Sequence, residues 1–526
     1  MASGPSGYDG NIIPSRVWKG SHMKKRVCGF VAAILLILLP PDLSALRILI
    51  NGGSSRVVTP AMIQATARPR LISGEIRPAA VLEEMLPVFE SIEEIRIIGD
   101  TQKNFSAPRG DSVLPLYRSY LLPNPDGSIS LASEEPGGRP GELITGLREV
   151  RIEGDLLDDG ELEVWVSWEG VTELKQEILR WGRLHGVRVT VNEVPKSDSK
   201  LLSVLRGGGR PPDLVLVQSD YLPALTAAGA LQPMVRFPVD QFAEKGLTAL
   251  SLDSKLYAVP FYFDVQVLFY RSDLLSLPRT AAGGIWDLKA FEESALQLRD
   301  RGIAPASWNA YSAYWLVPFQ MGFGKTSMVE DDGSVLADDR PTIDAVTYLK
   351  RLADEGFLDL RERDSMFSRF ISGEVAMMLS GSFSIPELMR LGVPFGIAPF
   401  PRGPEGPLAP LLDFKGFAVS RKTRHPLLAR RFLLSMSDPA VQHEFTSKVF
   451  KLPVLEPAWA LAEGSNPYFT VLRESYRTGV PVPSERGYKI YKNTMWKMLR
   501  FLLTGKLPVE EGLKKAQSLI DSQMSR

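Results

Sequence analysis

The sequence predicts an α/β protein whose main body is preceded by a small β-rich module. The first observation is the segment Glu161 to Val194, ELEVWVSWEGVTELKQEILRWGRLHGVRVTVNEV. Leu162, Val164 and Val166 alternate with Glu161, Glu163 and Trp165, as in a strand. The loop Ser167-Trp168-Glu169-Gly170 interrupts them. Thr172 supplies an N-cap, and Leu174, Ile178 and Trp181 recur at helical spacing until Gly186, a residue suited to the left-handed turn that ends a helix. Val187, Val189 and Val191 then alternate with polar residues. In such a strand-helix-strand unit ligands sit beyond the carboxyl ends of the strands, so Trp168 and Glu169 are candidate binding residues. The second observation is that helix and strand patterns keep alternating downstream. The third is that Leu46 to Gly160 does not share that pattern and reads mainly as short strands.

Length and composition narrow the class. The 526 residues are enough for two or three domains with their own cores. Lys and Arg number 61, as do Asp and Glu, so no basic field for nucleic acid exists. Cys28 is the single cysteine and the four histidines are scattered, which excludes a disulfide framework and a zinc site of Cys and His. No motif calls for a metal or another cofactor.

From Met23 the chain reads MKKRVCGFVAAILLILLPPDLSALRI. Positive charges, an apolar run of about 13 residues and Ser44-Ala45 make a secretory signal with cleavage expected after Ala45; the run is shorter than the roughly 20 residues that span a bilayer. An uncleaved anchor is the other reading. Residues 1–22 have no apolar pattern, and Gly20-Ser21-His22-Met23 resembles a cloning scar. Residues 1–45 are therefore set apart as leader and signal.

The module at 46–160 opens with LRILIN and is expected to hold a helix from Pro78 to Ile92, with Val81, Met85, Val88 and Phe89 on one face. IEEIRIIGD (Ile92 to Asp100) recurs as LREVRIEGD (Leu147 to Asp155); an internal repeat and a shared vocabulary of edge strands and turns both fit. Pro123 to Gly141 is rich in Pro, Gly, Ser, Asp and Glu, which predicts a hairpin tip and a loop. Because the downstream pattern begins afresh at Glu161, this module is expected to be separable.

Beyond Val194, Leu201, Leu202 and Leu205 form a short helix that stops at Gly207-Gly208-Gly209. Pro211-Pro212-Asp213 leads into LVLVQ, and Gln218-Ser219-Asp220-Tyr221 opens a helix ending Ala228-Gly229-Ala230-Leu231. This order resembles the extracellular solute-binding proteins of ABC importers, family 1, the class of maltose-binding protein. Later segments resemble it too: Lys255-Leu256-Tyr257-Ala258-Val259-Pro260 with VQVLFYRSDLL, Ile285-Trp286-Asp287 with Asp287 as cap, FSRFISGEVAMMLSG (Phe367 to Gly381), Gly416-Phe417-Ala418-Val419-Ser420, and the final helices Tyr488 to Leu503 and Val509 to Met524. The resemblance runs from about Glu161 to the end.

It implies a two-lobe periplasmic-binding-protein clamshell of type II. One lobe would hold about 161–264 and 411–455, the other about 268–410 and 456–526. It implies an exported, non-catalytic binder that closes on its ligand and delivers it to a membrane permease. A clamshell sensor using the N-terminal module and a secreted carbohydrate-active enzyme are the alternatives.

Aromatic rings beside short polar side chains suit a sugar, which has an apolar face and a rim of hydroxyls. Trp168 and Glu169, Asp220 beside Tyr221, Tyr262 and Asp264, Trp308 and Tyr311, Phe383, Asp413 with Lys415, and Trp496 make up the candidate ligand-binding set. By resemblance, Asp264 matches the family's acidic hinge ligand, Phe383 stands in place of its stacking Trp, and Trp496 matches its late-helix Trp. Gly322-Phe323-Gly324-Lys325-Thr326 ends like a phosphate loop, but Phe319 occupies the first glycine position and no strand leads in.

Overall fold

The computed structural model describes residues 45–106, 114–135, 139–157, 160–168, 170–277 and 287–525. The expected signal before Ala45, the loop residue Glu169 and the Ile285-Trp286 pair lie outside the described residues. Among those described, no helix is long and apolar enough to cross a membrane.

Strands β1 (Leu46–Ile50), β2 (Ser54–Val58), β3 (Arg68–Ile72), β4 (Glu75–Val81), β5 (Phe89–Ile98), β6 (Gln102–Ser106), β7 (Ser119–Pro123), β8 (Ile129–Glu134), β9 (Pro140–Ile144) and β10 (Glu149–Leu156) build the N-terminal module. They form two sheets, ordered β2-β1-β10-β5-β6 and β3-β4-β7-β8-β9. Alternation puts Ile48, Ile95, Ile97, Val150 and Ile152 into one core with Leu121 and Leu131 of the other sheet. The two copies of the repeat are β5 and β10 themselves. They pair antiparallel with Ile95 opposite Ile152, Arg96 opposite Arg151 and Ile97 opposite Val150, so a local two-fold passes between the arginines.

Two expectations here are corrected. Residues 78–92 are not a helix: β4 runs to Val81, a single 3-10 turn covers Leu82–Met85, and Leu86 is extended. Pro87 disfavours helical geometry in the residue before it, and even Glu83 and Glu84 are buried, so no polar face exists. Within 123–141 the hairpin tip is confined to Asn124–Ser128, where Asn124 N–H donates to the Ser128 carbonyl at 2.9 Å, and β8 follows at once.

In the body, β11 (Glu161–Val166), β12 (Arg188–Glu193) and β13 (Leu214–Gln218) are parallel, joined by helices Val171–His185 and Ser197–Arg206. Gly186, at φ 68°, ends the first helix as expected; its start is Gly170, not Thr172. A two-residue hairpin, β14 (Ser251–Leu252) and β15 (Lys255–Leu256), precedes β16 (Ala258–Arg271). Then come β17 (Ala304–Trp308), β18 (Leu358–Leu360), β19 (Val375–Gly381), β20 (Phe395–Ala398) and β21 (Leu411–Val419), with the short β22 (Leu452–Pro453) and β23 (Val480–Pro481). The main order is β12-β11-β13-β21-β16-β19-β17-β18.

The chain crosses between the two lobes on β16. Its first half pairs with β21, from Ala258 opposite Ala418 to Val265 opposite Leu412, and its second half pairs with β19. Gln266 stands at the changeover and is fully buried. Its amide nitrogen donates to the Tyr314 carbonyl at 2.8 Å and its oxygen accepts from Leu411 N–H at 2.8 Å, which satisfies the backbone where the sheet changes partner. Asp287 caps helix Leu288–Asp300, accepting from Ala290 N–H at 2.9 Å. Helix Pro457–Glu463, expected in the second lobe, packs instead on helix Pro439–Val449 and β22 of the first.

The module is keyed to the first lobe by buried charges. Arg68 pairs with Glu177 at 2.6 Å and Glu444 at 3.2 Å, and Arg70 with Asp438. Arg180 reaches Glu84 at 3.4 Å, and Arg431 donates to the Phe89 carbonyl at 3.1 Å. Tyr117 OH reaches the Arg431 carbonyl at 3.2 Å. Removing one side of such contacts strands buried charge on the other. The structure therefore argues against the expected separability.

Candidate functional site

The carboxyl end of β13 gathers polar side chains. Gln218 closes the strand, and Ser219 and Asp220 open a turn of 3-10 helix directly after it. Asp198, at the start of helix Ser197–Arg206, is held against the Gln218 backbone N–H. Asp413 arrives on β21, where Lys415 registers opposite Gln218, and accepts from the Gln218 amide at 2.9 Å. Ser197 Oγ ties the helix start to the Leu216 carbonyl at 3.0 Å.

Opposite this end lies one face of helix Arg486–Leu503. Lys489, Lys492, Trp496 and Arg500 recur three or four residues apart and so share that face. Lys492 Nζ is 3.2 Å from Asp220, Lys489 lies 5.8 Å from the Tyr221 ring centre, and the Arg500 guanidinium lies 4.7 Å from Tyr311 and 5.3 Å from Trp496. Trp496 is 47% exposed. Phe383, half-buried in the turn after β19, lies under the Arg363 guanidinium at 5.8 Å. Trp168, half-buried at the end of β11, has φ 69°, a left-handed conformation that is strained for a large side chain.

Three candidate residues are placed elsewhere than the sequence suggested. Trp308 is buried and stacks on Phe319 at 5.7 Å, filling the second lobe's core. Tyr262 is fully buried among Phe261 and Phe445. Asp264 does not offer its carboxylate to a ligand: Lys415 binds one oxygen at 2.7 Å, and Lys451 at 2.6 Å and Ser382 Oγ at 2.9 Å share the other. Burial acts to raise its pKa, but the two lysines overcome this and hold it well below the usual carboxylate range. Asp264 on β16 and Lys415 on β21 stand on neighbouring strands and Lys451 directly precedes β22, so the pin ties these segments together. Lys325 of the loop that resembles a phosphate binder is likewise committed, to Asp339 and the Leu336 carbonyl.

Asp220 and Asp413 thus stand at the end of β13 where Lys492 reaches across, Tyr311 and Trp496 flank Arg500 on the side of the opposing helix, and Trp168 and Phe383 follow strand ends. Asp198, Ser219, Tyr488 and Lys492 join them without having been singled out. The signal for Lys492 was its spacing four before Trp496; Asp198 sits after a strand at a helix start, the same grammar that picked out Asp220. Burial pushes Asp198 up to about 8, with Asp220 and Asp413 adding to the rise, and burial also raises Asp413, though Lys415 opposes it. Such a floor can exchange hydrogen bonds with hydroxyls and, between ring faces, hold a flat polar ligand. Among the described residues no group of acidic, His or Cys side chains has the arrangement of a metal site.

Comparison with known proteins fits this geometry. The chain is 25% identical over 314 residues to the maltodextrin-binding protein MdxE of Bacillus subtilis (strain 168), covering 56% of this chain and 74% of that one. It is 23% identical over 389 residues to a galactooligosaccharide-binding protein of the same organism, covering 69% and 89%. Among solved structures, the GacH receptor of Streptomyces glaucescens superimposes with a TM-score of 0.61 at 20% identity, covering 69% of this chain and 99% of that one. A cyclo/maltodextrin-binding protein complexed with maltotetraose gives 0.62 at 20% identity, covering 70% and 98%. These likenesses make the body a solute-binding clamshell of the maltose-binding-protein type. Residues 180–464, more than half of the chain, match the family model described as bacterial extracellular solute-binding protein, and the chain belongs to that family.

Proposed function

We propose that this protein binds a sugar or oligosaccharide between its lobes outside the cytoplasm and delivers it to the membrane permease of an ABC importer. The observation that carries the reading is the opposition of two surfaces. The floor at the end of β13, with Asp198, Ser219, Asp220 and Asp413, faces the helix that presents Lys492, Trp496 and Arg500. Hydroxyl-binding groups on one side and ring faces on the other are what a pyranose needs. The two curated relatives are named for maltodextrin and galactooligosaccharide, which supports the same class.

In this reading the first lobe comprises 161–264 and 411–455 with helix Pro457–Glu463 attached, and the second the remainder of the body. Closure swings them about β16 and β21, shedding water from the cleft. The segment from Met23 to Ala45 acts as the export signal. Trp168, Phe383 and Trp496 act as stacking rings, and Asp264 acts from behind, through the hinge. Titration calorimetry of the full chain against maltotriose and galactotriose tests the proposal. Saturable heat with at least one supports it, and flat titrations with both, with no thermal stabilisation by other oligosaccharides, reject it.

A further inference from the structure

The cleft floor holds more hydrogen-bond acceptors than it has donors to meet them. Asp220 gives one oxygen to Lys492 and Asp413 gives one to Lys415 and Gln218; the other oxygen of each is buried without a partner, and so is one oxygen of Asp198. Ser219 Oγ and Tyr488 OH are also buried without partners, from the first lobe and the opposing helix respectively. Asp198, Ser219 and Tyr488 are each at most 2% exposed. A hydroxyl can donate or accept, whereas a carboxylate only accepts, so the unmet demand is for donors. The ion pairs leave these oxygens unmet, because Lys415 and Lys451 are already engaged by Asp264 and by the other oxygen of Asp413, and Lys492 by the other oxygen of Asp220.

We propose that the cleft selects saccharides bearing an ammonium group over neutral ones and rejects those bearing a carboxylate, an inference that rests on the saccharide reading above. An ammonium group supplies three donors, and its charge attracts the unpartnered carboxylate oxygens of Asp220 and Asp413. A carboxylate adds acceptors where they are already in excess and sets a negative charge beside the free oxygens of Asp220 and Asp413, and like charges placed together in a dry site repel strongly. The raised pKa of Asp198 agrees with this: with no further cation at hand the carboxyl keeps its proton, and an ammonium group would let it ionise.

The test uses three ligands of identical linkage: maltotriose, its 6-amino-6-deoxy form and its 6-carboxy form, titrated into the full chain at pH 7. The amino form should bind about tenfold tighter than maltotriose, the effect of one added charge pair of about 1.4 kcal/mol, and the carboxy form about tenfold weaker or not at all. In Asp220→Asn and in Asp413→Asn the preference for the amino form should shrink by about the same factor; using both guards against a variant that does not fold. If maltotriose binds but the amino form binds equally or more weakly, or the carboxy form binds as well as the neutral one, the inference fails and the saccharide reading stands. If none of the three binds, the inference fails, and the saccharide reading falls with it only when galactotriose also gives no heat and no other oligosaccharide stabilises the protein.

Discussion

His185 Nε2 lies 3.2 Å from Glu83 Oε2, and this contact joins a first-lobe helix to the N-terminal module inside the protein. Neither group is ionised near neutral pH. Burial pushes Glu83 up to about 8, with Tyr117 and Arg431 opposing, and pushes His185 down to about 4. The contact is a meeting of two neutral polar groups, packed beside Trp181, whose ring lies 5.1 Å from that of His185.

Stability should therefore fall on the alkaline side of neutrality. The folded pKa of Glu83 lies above its ordinary 4.5, so its contribution is full below that pH and is lost as pH rises towards 8. The folded pKa of His185 lies below its ordinary 6.5, so stability is lost as pH falls from there towards 4. Between 4.5 and 6.5 the two slopes oppose each other, and above 6.5 Glu83 acts together with Asp198, which burial also raises to about 8. From there to pH 8 the share of Glu83 in the loss should approach about 2 kcal/mol. Urea unfolding across that range should show the decline in the wild type and a slope about halved in Glu83→Gln, the remainder belonging to Asp198; equal slopes in both would assign the decline to other groups.

The module should prove integral to the first lobe. Arg70 is 4% exposed and its partner Asp438 also caps helix Pro439–Val449, accepting from Ala440 N–H at 2.8 Å. Arg70→Met should cost about 3–5 kcal/mol by stranding that carboxylate. A chain starting near Asp158 should aggregate or melt well below the full protein. Unchanged melting of both, by calorimetric scanning, would restore the module as an independent unit.

Much of the body was legible because its signals are periodic. The strand, helix and strand at Glu161 to Glu193 and the Gly186 stop follow from spacing and from residues with one conformational use, whereas the Asp287 cap came with the family resemblance. The stretch around Glu83 and Glu84 was not legible, because two buried glutamates look like the polar face of a helix until their partners Tyr117, His185 and Arg180 are known. The site divided in the same way. Asp220 and Trp496 stood out beside a strand end and on a helix face, but nothing local showed that Lys451, 187 residues away, would occupy Asp264. Trp308 shows the reverse: an aromatic next to a loop whose ring turns inward onto Phe319.

Asp264→Ala should act on the hinge before it acts on binding. It leaves the Lys415 and Lys451 ammonium groups without their shared buried carboxylate, which should cost about 3–5 kcal/mol of stability in the ligand-free protein. A fall in melting temperature is the expected result. Normal melting with lost affinity would make Asp264 a ligand residue after all.

Trp496→Ala should do the opposite. Its ring is half exposed and stands beside Arg500, so truncation should change apo stability by no more than about 0.5 kcal/mol. Saccharide affinity should fall by about 1–3 kcal/mol, as for other aromatic anchors. Calorimetry and thermal melting on the same sample separate the two effects.

The central claim is that the ligand lies between the end of β13 and helix Arg486–Leu503. Amide hydrogen exchange, measured on the full chain with and without saturating saccharide, tests it most directly. New protection is expected in 214–221 and in 486–500, with the N-terminal module unchanged. Protection confined to the module, or absent from both cleft segments while the ligand is bound, would contradict it.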